Sequence, residues 1–349
     1  GKPRIDFKDD AKGALLLEPQ RSNLILRSEE FESVSWTKSN SLITSNSVIS
    51  PNGTLNADKL VESNFNGDHY VSSQIISVSS GQITNTIWLK SAERTQAVIF
   101  EQVSVKGIYV DLESGTFIKN LVNTPDSYSI FKDSNGWVKV SITTTNSSTS
   151  RLRIYPSKNG SVSYQGDGAS GVYIFGAQLE QGSYATSYIP TQGGTVTRVA
   201  ETAIDGGAEA PIFSNTSAVW FIDFSRFGYD SSINSAAITL NNSSNVEQIR
   251  FHFDQPTQTV RFRDAKNSFS NIGVSINTFS NIRKKVALKI DGTTLKVFSD
   301  GQQIGSDYTR PNAFDINSMD LQSSAFNLFE TKFYNTTLSD AELQALTTL

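Results

Sequence analysis

Apolar and polar residues alternate along residues 82–90, where Ile83, Ile87 and Leu89 are separated by polar or aromatic positions. Successive side chains of a strand point to opposite faces, so a period of two predicts a β-strand with one face in a core. The outward positions include Trp88 and Lys90. This strand is therefore expected to present an aromatic ring and an ammonium group away from the core.

The same alternation appears in residues 151–155. Leu152 and Ile154 predict the core face, and the opposite face carries Arg151, Arg153 and Tyr155. If this strand and the strand of residues 82–90 belong to one sheet, the outward side chains of both line its open face.

Turn signals separate the predicted strands at short intervals. Gly, Asn, Asp, Ser and Pro supply the backbone conformations that tight turns need. Seven such turns occur in the first half of the chain: Pro51–Gly53, Asn66–Asp68, Ser79–Gly81, Ser114–Gly115, Ser134–Gly136, Asn159–Gly160 and Gly166–Gly168. This spacing is typical of an all-β sandwich and leaves almost no room for helix.

The second half of the chain repeats the strand pattern. A hairpin is predicted where Val286–Asp291 and Thr294–Ser299 flank Gly292-Thr293, with the next tight turn at Asp300-Gly301. Further strands are predicted at residues 219–224, 248–253 and 260–263. Near the C-terminus, Ser339 and Glu342 have the spacing of a capping box, which predicts one small helix.

The length of 349 residues predicts two domains, since single cores stop growing beyond about 250 to 300 residues. The composition shifts to Gly, Thr, Ala and Pro between Ile189 and Pro211. We therefore expect a first domain over residues 1–203 and a second over residues 204–349. The predicted fold class is all-β, with two tandem antiparallel β-sandwiches.

Charge and composition narrow the set of partners. The formal net charge is −4 and no long basic run occurs. Because nucleic-acid binding needs a basic surface, a nucleic-acid partner is not expected. No apolar stretch approaches the roughly 20 residues that cross a bilayer, so membrane insertion is not expected. The chain has no cysteine, which excludes disulfides and thiolate chemistry.

Two strings about 170 residues apart resemble a known type of domain. They read Gly13-Ala-Leu-Leu-Leu-Glu-Pro-Gln-Arg-Ser-Asn23 and Gly176-Ala-Gln-Leu-Glu-Gln-Gly-Ser-Tyr-Ala-Thr-Ser-Tyr-Ile-Pro-Thr191. Together they resemble the carbohydrate-binding jelly roll of bacteriophage tail and head fibres. The resemblance covers roughly residues 4 to 203 and implies a domain that holds a surface glycan.

The second domain resembles another sandwich family. The run from Lys285 to Ile304, with its Asp-Gly returns, and the closing string from Phe333 to Leu346 resemble laminin-G or concanavalin-A-like domains. This resemblance also implies a lectin-type fold. Both families commonly hold a structural calcium ion, for which Asp6, Asp68 and Asp167 are the candidate ligands; no other cofactor is expected.

Residue patterns for catalysis are missing from the sequence. A serine hydrolase needs a strained elbow such as Gly-x-Ser-x-Gly, and the concanavalin-like glycosidases use Glu-x-Asp-x-x-Glu; neither occurs. His69 and His252 lie outside any metal-binding pattern. Asp133–Trp137 resembles part of a sialidase Asp box, but it lacks the Thr and is interpreted as a turn. We therefore expect a protein that is not an enzyme.

Sugar recognition requires a flat aromatic face together with planar polar groups that take paired hydroxyls. The candidate ligand-binding residues are Trp88, Lys90, Arg151, Arg153 and Tyr155, with the loop residues Asp68, His69 and Tyr70. Two alternatives stay open. The arginines and tyrosine can pair with acids on neighbouring strands, and His69 can serve loop structure alone.

The function that these patterns favour is non-catalytic recognition of a bacterial surface or environmental polysaccharide. The resemblance implies a phage or prophage fibre, or a secreted adhesin, located in a virion, outside the cell or at its surface. Homo-oligomers are expected in a fibre. The alternatives are a glycan-active hydrolase or its ancillary module, and a structural spacer.

Overall fold

The structure is a computed structural model. It describes residues 4–6, 11–206, 214, 216–226, 236–242, 244, 246–254, 259–265, 270–277, 282–322 and 326–348. These residues form two compact units: the first sandwich, Arg21–Arg198, and the second sandwich, which combines Gly1–Gln20 with Val199–Leu349. Apart from one short helix, the regular structure is β, and every pair of strands is antiparallel among the described residues.

The first sandwich contains strands β3 to β20. The earlier ones are β3 (Arg21–Asn23), β4 (Trp36–Ser39), β5 (Ser41–Ile49), β6 (Leu55–Glu62), β7 (Asn66–Asp68), β8 (Tyr70–Ser73), β9 (Ile76–Ser77), β10 (Gly81–Ser91) and β11 (Gln96–Glu101). The later ones are β12 (Lys106–Asp111), β13 (Thr116–Asn120), β14 (Ser127–Lys132), β15 (Val138–Asn146), β16 (Thr149–Ser150), β17 (Leu152–Ser157), β18 (Ser163–Gln165), β19 (Gly171–Gln181) and β20 (Val196–Arg198).

Two six-stranded sheets form this sandwich. One has the order β14-β15-β10-β19-β6-β5 and the other β13-β12-β11-β17-β8-β4. Alternate residues of both sheets, such as Ile87, Ile99 and Ile154, face inward into one shared apolar core. The alternation predicted for residues 82–90 and 151–155 is therefore confirmed, but the two segments belong to different sheets.

The second sandwich contains β1 (Arg4–Asp6), β2 (Ala14–Leu17) and twelve later strands. These are β21 (Ala203–Gly206), β22 (Ser217–Arg226), β23 (Ala236–Asn241), β24 (Glu247–Asp254), β25 (Thr259–Asp264) and β26 (Ser270–Asn277), followed by β27 (Arg283–Asp291), β28 (Thr294–Ser299), β29 (Gln302–Gln303), β30 (Tyr308–Thr309), β31 (Ser318–Leu321) and β32 (Phe326–Tyr334). One sheet has the order β1-β2-β32-β22-β27-β28-β29, with β30 beside β28, and the other β21-β31-β23-β24-β25-β26.

The N-terminal strands differ from the predicted domain division. Residues before 204 were expected in one domain, but β2 pairs with β32 of the second sandwich, where Leu15 lies opposite Leu328. Leu17 enters the same core as Trp220. Apolar residues of β2 thus complete a sheet whose other strands come from the far end of the chain.

The predicted hairpin and helix are present. Asp291 pairs with Thr294 across Gly292, which has a φ of +60° that favours glycine. Helix α1 (Asp340–Thr347) is capped by Ser339, whose side chain accepts from the Glu342 amide while the Glu342 side chain accepts from the Ser339 amide. The helix packs Leu343 on the outer face of its sheet. No helix of the described residues has the length and apolarity that crossing a membrane requires.

Candidate functional site

An aromatic surface with one central guanidinium covers the outer face of the sheet that contains β11, β12 and β17. Because Ile99, Ile108 and Ile154 point into the core, their strand neighbours point outward. We call this surface the tyrosine–arginine face; it consists of Tyr70, Phe100, Tyr109, Lys119, Arg153 and Tyr155.

Arg153 lies at the centre of this face. Its Cζ is 4.4 Å from the centroid of the Tyr70 ring, and the Tyr70 and Tyr155 centroids are 5.1 Å apart. Nη1 donates a hydrogen bond to the Tyr155 hydroxyl over 3.3 Å. The two tyrosines therefore fix the position of the guanidinium, and cation–π attraction to Tyr70 stabilises that position.

No carboxylate neutralises Arg153 within ion-pair distance among the described residues. Its Nε is buried and has no hydrogen-bond partner in the same part of the chain. Part of the side chain is nevertheless exposed to solvent. A fixed, uncompensated guanidinium is a suitable donor for paired hydroxyls or for a carboxylate of a ligand.

The electrostatics of the face keep its hydroxyls protonated. Burial raises the pKa of Tyr155, and the nearby charge of Asp68 raises it further, although Arg153 acts in the opposite direction. Burial and Asp68 also raise the pKa of Tyr109. Asp68 is exposed, so the surface offers a carboxylate acceptor beside the tyrosine and guanidinium donors.

Phe100, Tyr109 and Tyr155 are only 6%, 4% and 3% exposed, so these rings support Arg153 and Lys119 and do not present themselves to solvent. Tyr70 and Lys119 are more accessible. The Lys119 ammonium lies 4.6 Å from the centroid of the Tyr109 ring. Lys119, Tyr109, Val98 and Tyr155 are successive cross-strand neighbours, which places all four in one row across the sheet.

Phe100, Tyr109 and Lys119 were not predicted as site residues. The strand Gln96–Glu101 is apolar on both faces, so its pattern does not separate the core side from the outer side. The signal that was available is the alternation of Tyr109 with Ile108 and Val110, both of which are fully buried.

Arg151 directly precedes β17, and its guanidinium already forms hydrogen bonds within the first sandwich. Its Nε donates to the Ser73 carbonyl over 3.0 Å, and its Nη2 donates to the Thr37 hydroxyl over 3.3 Å. These bonds tie neighbouring strands together, so Arg151 has fewer donors to offer a ligand than Arg153.

His69 is a structural residue of the fold. Its side chain is fully buried, and its two ring nitrogens lie 2.7 Å from the Asn40 carbonyl and 3.1 Å from the Tyr164 carbonyl. The ring therefore links the backbone at Asn40 to the backbone at Tyr164, and it does not reach solvent. The alternative that assigned His69 to loop structure is the one that this geometry supports.

Trp88 and Lys90 do not join the other predicted residues. They lie on β10, whereas Arg151, Arg153 and Tyr155 belong to the opposing sheet, so the expected single platform does not form. The two sheets share one core, and their outer faces point in opposite directions. A period of two assigns a residue to a face of its own strand, but it does not assign strands to sheets.

The surroundings of Trp88 and Lys90 are well packed. Trp88 is half-buried and meets Phe131 edge to face, with centroids 6.3 Å apart. The Lys90 ammonium donates to the Asn135 carbonyl over 2.9 Å. In this turn the Asp133 carboxylate accepts from the amides of Asn135 and Trp137, which confirms the interpretation of Asp133–Trp137 as a turn.

Two of the three predicted calcium ligands, Asp6 and Asp167, have other partners. The Asp6 carboxylate accepts from Asn327, and the Asp167 carboxylate accepts from Ala169 and Ser170 and pairs with Arg94. Hydrogen bonds from Ser170 lower the pKa of Asp167. No three His, Cys, Asp or Glu side chains within the described ranges converge as metal ligands. Calcium binding stays a prediction.

An acidic pocket opens elsewhere on the first sandwich. It has a volume of about 580 Å³, and its wall includes Glu29, Glu30, Glu32 and Asp58. Asp58 accepts from the amides of Phe31 and Asn46. Burial raises the pKa of Asp58 to about 6 despite these bonds, and Glu32 adds to the effect.

The strings that carried the jelly-roll resemblance have structural roles. Gln178 accepts from the Ile189 amide over 2.7 Å, and Glu180 accepts from the Thr186 amide over 3.0 Å. Asn23 binds the same region from the other string. These contacts fasten residues 183–191 across their sheet, so the recognisable strings mark the scaffold and not the tyrosine–arginine face.

Comparison with known proteins gives fold neighbours alone. No protein-family model and no curated protein matches the chain. Trypanosoma rangeli sialidase matches at 10% identity and a TM-score of 0.35, over 83% of this chain and 60% of the sialidase. Its complex with sialic acid matches at 9% identity and a TM-score of 0.34, over 87% and 70%. Domains LG4-5 of the mouse laminin alpha1 chain match at 10% identity and a TM-score of 0.28, over 99% and 94%.

These neighbours correct one expectation. The chain spans about three fifths of the length of the sialidase it matches. The sequence patterns led us to expect a protein that is not an enzyme, and we withdraw that expectation, because the matching structures include sialidases, which are enzymes. At this level of similarity no activity or substrate is carried over to the present chain.

Proposed function

We propose that the first sandwich binds carbohydrate through the tyrosine–arginine face. The observation that carries the proposal is the Arg153 guanidinium without a carboxylate partner, which lies over the Tyr70 ring and donates to the Tyr155 hydroxyl. A guanidinium offers paired donors to vicinal hydroxyls, and the partly exposed Tyr70 ring offers an apolar surface to the C–H groups of a sugar. Asp68 adds an acceptor.

The class of ligand is a polysaccharide of a bacterial surface or of the environment. A shallow face on a sheet contacts a few sugar units, and its single-site affinity is correspondingly weak. A fibre or a cell-surface adhesin presents several copies, which multiplies such affinity without new contacts. We therefore propose that the protein acts in a phage or prophage fibre, or outside a cell, as a homo-oligomer.

A glycan array followed by calorimetry with the full chain tests the binding proposal. Replacing Arg153 by Met is expected to weaken binding at least tenfold, because the donors and the charge are lost while much of the side-chain volume stays. Tyr70→Ala is expected to act in the same direction. Lys90→Met, on the opposite sheet, serves as the matched control and is expected to change affinity less than twofold.

Two outcomes would overturn the proposal. One is a glycan ligand whose affinity is the same for the wild type and Arg153→Met. The other is the absence of any ligand among bacterial polysaccharides, which would favour the spacer alternative. Circular dichroism of each variant shows whether the fold has been kept.

A further inference from the structure

A row of polar side chains crosses the outer face of the second sheet of the second sandwich. Thr239, Arg250, Arg263 and Asn271 are successive cross-strand neighbours on β23, β24, β25 and β26. Their strand neighbours, such as Ile249 and Phe262, point into the core. In the adjacent row, His252 lies directly opposite Arg261. We use the name basic row for five side chains taken from these two adjacent rows: Thr239, Arg250, His252, Arg261 and Arg263.

The basic row breaks a rule of sheet stability. Like charges directly opposite each other on neighbouring strands repel, and Arg250 lies directly opposite Arg263. Burial and the charge of Arg250 lower the pKa of Arg263, and burial and the charge of Arg263 lower that of Arg261. Such local conflicts are expected at functional sites.

Two buried side chains in the row have unused hydrogen-bonding atoms. His252 is 2% exposed, and neither of its ring nitrogens has a hydrogen-bond partner in the described part of the chain. Thr239 is 1% exposed, and its hydroxyl also lacks one there. Buried polar groups are nearly always hydrogen-bonded, because an unsatisfied donor or acceptor away from water destabilises the fold.

Arg263 adds an uncompensated charge. It forms no ion pair and no hydrogen bond among the described residues, and its Nε is buried. Arg250 and Arg261 also interact with other groups. They contribute positive charge to the basic row. Three guanidiniums thus create a positive potential on one face. Burial and the three arginines lower the pKa of His252 to about 4, so near neutral pH its ring is uncharged and offers one donor and one acceptor.

We propose that the basic row binds an oxyanion, either the carboxylate of an acidic sugar or a free sulfate. One oxyanion accepts several hydrogen bonds at once and relieves the repulsion between the arginines, which a neutral hydroxyl group cannot do. The proposed site belongs to the second sandwich, whereas the tyrosine–arginine face belongs to the first.

Calorimetric titration of the full chain with sodium sulfate, sodium glucuronate and glucose tests the proposal. Binding of sulfate or glucuronate is expected, without binding of glucose to the same site. Arg263→Gln and His252→Gln are expected to weaken anion affinity tenfold or more. Lys332→Gln removes an equal charge from the other sheet of this sandwich, at a half-exposed position, and is expected to change affinity less than twofold.

The pattern of ligands identifies the source of the anion. Binding of glucuronate alone indicates an acidic saccharide, and binding of sulfate alone indicates a free anion. Arg263→Lys keeps the charge, so it is expected to retain more affinity than Arg263→Gln and provides a second test if the latter folds poorly. The proposal is overturned if neither anion binds, or if binding is insensitive to both Arg263 and His252.

Discussion

The side-chain amide of Asn23 donates a hydrogen bond to the backbone carbonyl of Ile189 over 2.8 Å. The same side chain donates to the Ala177 carbonyl and accepts from the amides of Ile25 and Leu179, all within the buried part of the first sandwich. One fully buried residue therefore satisfies four backbone groups that have come together from distant parts of the sequence.

Replacing Asn23 by Ala is expected to lower the free energy of unfolding by about 3 to 5 kcal/mol, because two amides and two carbonyls lose their partner in a dry environment. Urea denaturation of the wild type and the variant measures the difference. Asn66→Ala, at an exposed position, is the control and is expected to cost less than about 0.5 kcal/mol. Equal effects of the two substitutions would contradict the scaffold role.

Trp88→Ala is expected to separate stability from ligand binding. The indole packs against Phe131 and the cluster of Trp137 and Phe175, so truncation is expected to cost about 2 to 3 kcal/mol of folding free energy. Glycan affinity is expected to stay within twofold of the wild type, since Arg153 lies on the other sheet. A tenfold loss of affinity in a folded Trp88→Ala protein would move the binding site to the sheet of β10.

The strand pattern predicted the fold better than it predicted the site. Alternation identified Ile87 and Ile154 as core residues, and the Gly292 turn and the Ser339 cap are local features that a short string specifies. The order of strands within a sheet depends instead on contacts between residues far apart in the chain. For that reason Trp88 and Arg153 shared an outward direction in the pattern but not a surface in the structure.

The two strings that resembled the phage-fibre jelly roll did not indicate a binding site. Gln178 and Glu180 were recognisable because they hold a loop by hydrogen bonds to its backbone, a role that restricts residue type without reference to a ligand. The sequence also did not indicate that the Gly13–Asn23 string is divided between two units, because β2 pairs with a strand more than 300 residues later in the chain. Long-range pairing of this kind leaves no periodic signal in the sequence.

The pH dependence of stability is expected to report on Asp58. Burial raises its pKa from 3.8 to about 6 in the folded protein. The protonated form is thus favoured by folding: its stabilisation is complete below about pH 4 and is lost as the pH rises toward 6. This rise in the pKa of Asp58 corresponds to about 3 kcal/mol.

Unfolding of the wild type and Asp58→Asn at several pH values tests this sign. The stability of the wild type relative to the variant is expected to fall between pH 4 and 6 and to be level outside that window. The amide substitution also alters the bonds to Phe31 and Asn46, which produces a constant offset and leaves the slope interpretable. Glu113→Gln, at an exposed position, is expected to give a curve parallel to the wild type.

The second sandwich contains a buried ion pair between Arg310 and Asp264, with Nε and Oδ2 3.0 Å apart and both side chains inaccessible to solvent. Gln248 and the Ala313 carbonyl take further guanidinium donors. Arg310→Met is expected to cost about 3 to 5 kcal/mol, because it removes the guanidinium charge that faces the buried Asp264 carboxylate. Lys284→Met, whose partner Asp300 is half-exposed, is expected to cost less than about 1 kcal/mol.

The double variant Arg310→Met, Asp264→Leu distinguishes the energy of the pair from the cost of breaking it. Removing both charges also removes the desolvation penalty, so the double variant is expected to be more stable than Arg310→Met alone by at least about 2 kcal/mol. Chemical denaturation of the four proteins completes the cycle. If instead the costs of the two substitutions in unfolding free energy are additive, the double variant is no more stable than Arg310→Met. The contribution of Arg310 then comes from packing on Phe314, whose ring centroid lies 4.1 Å from the Arg310 Cζ, and not from its charge.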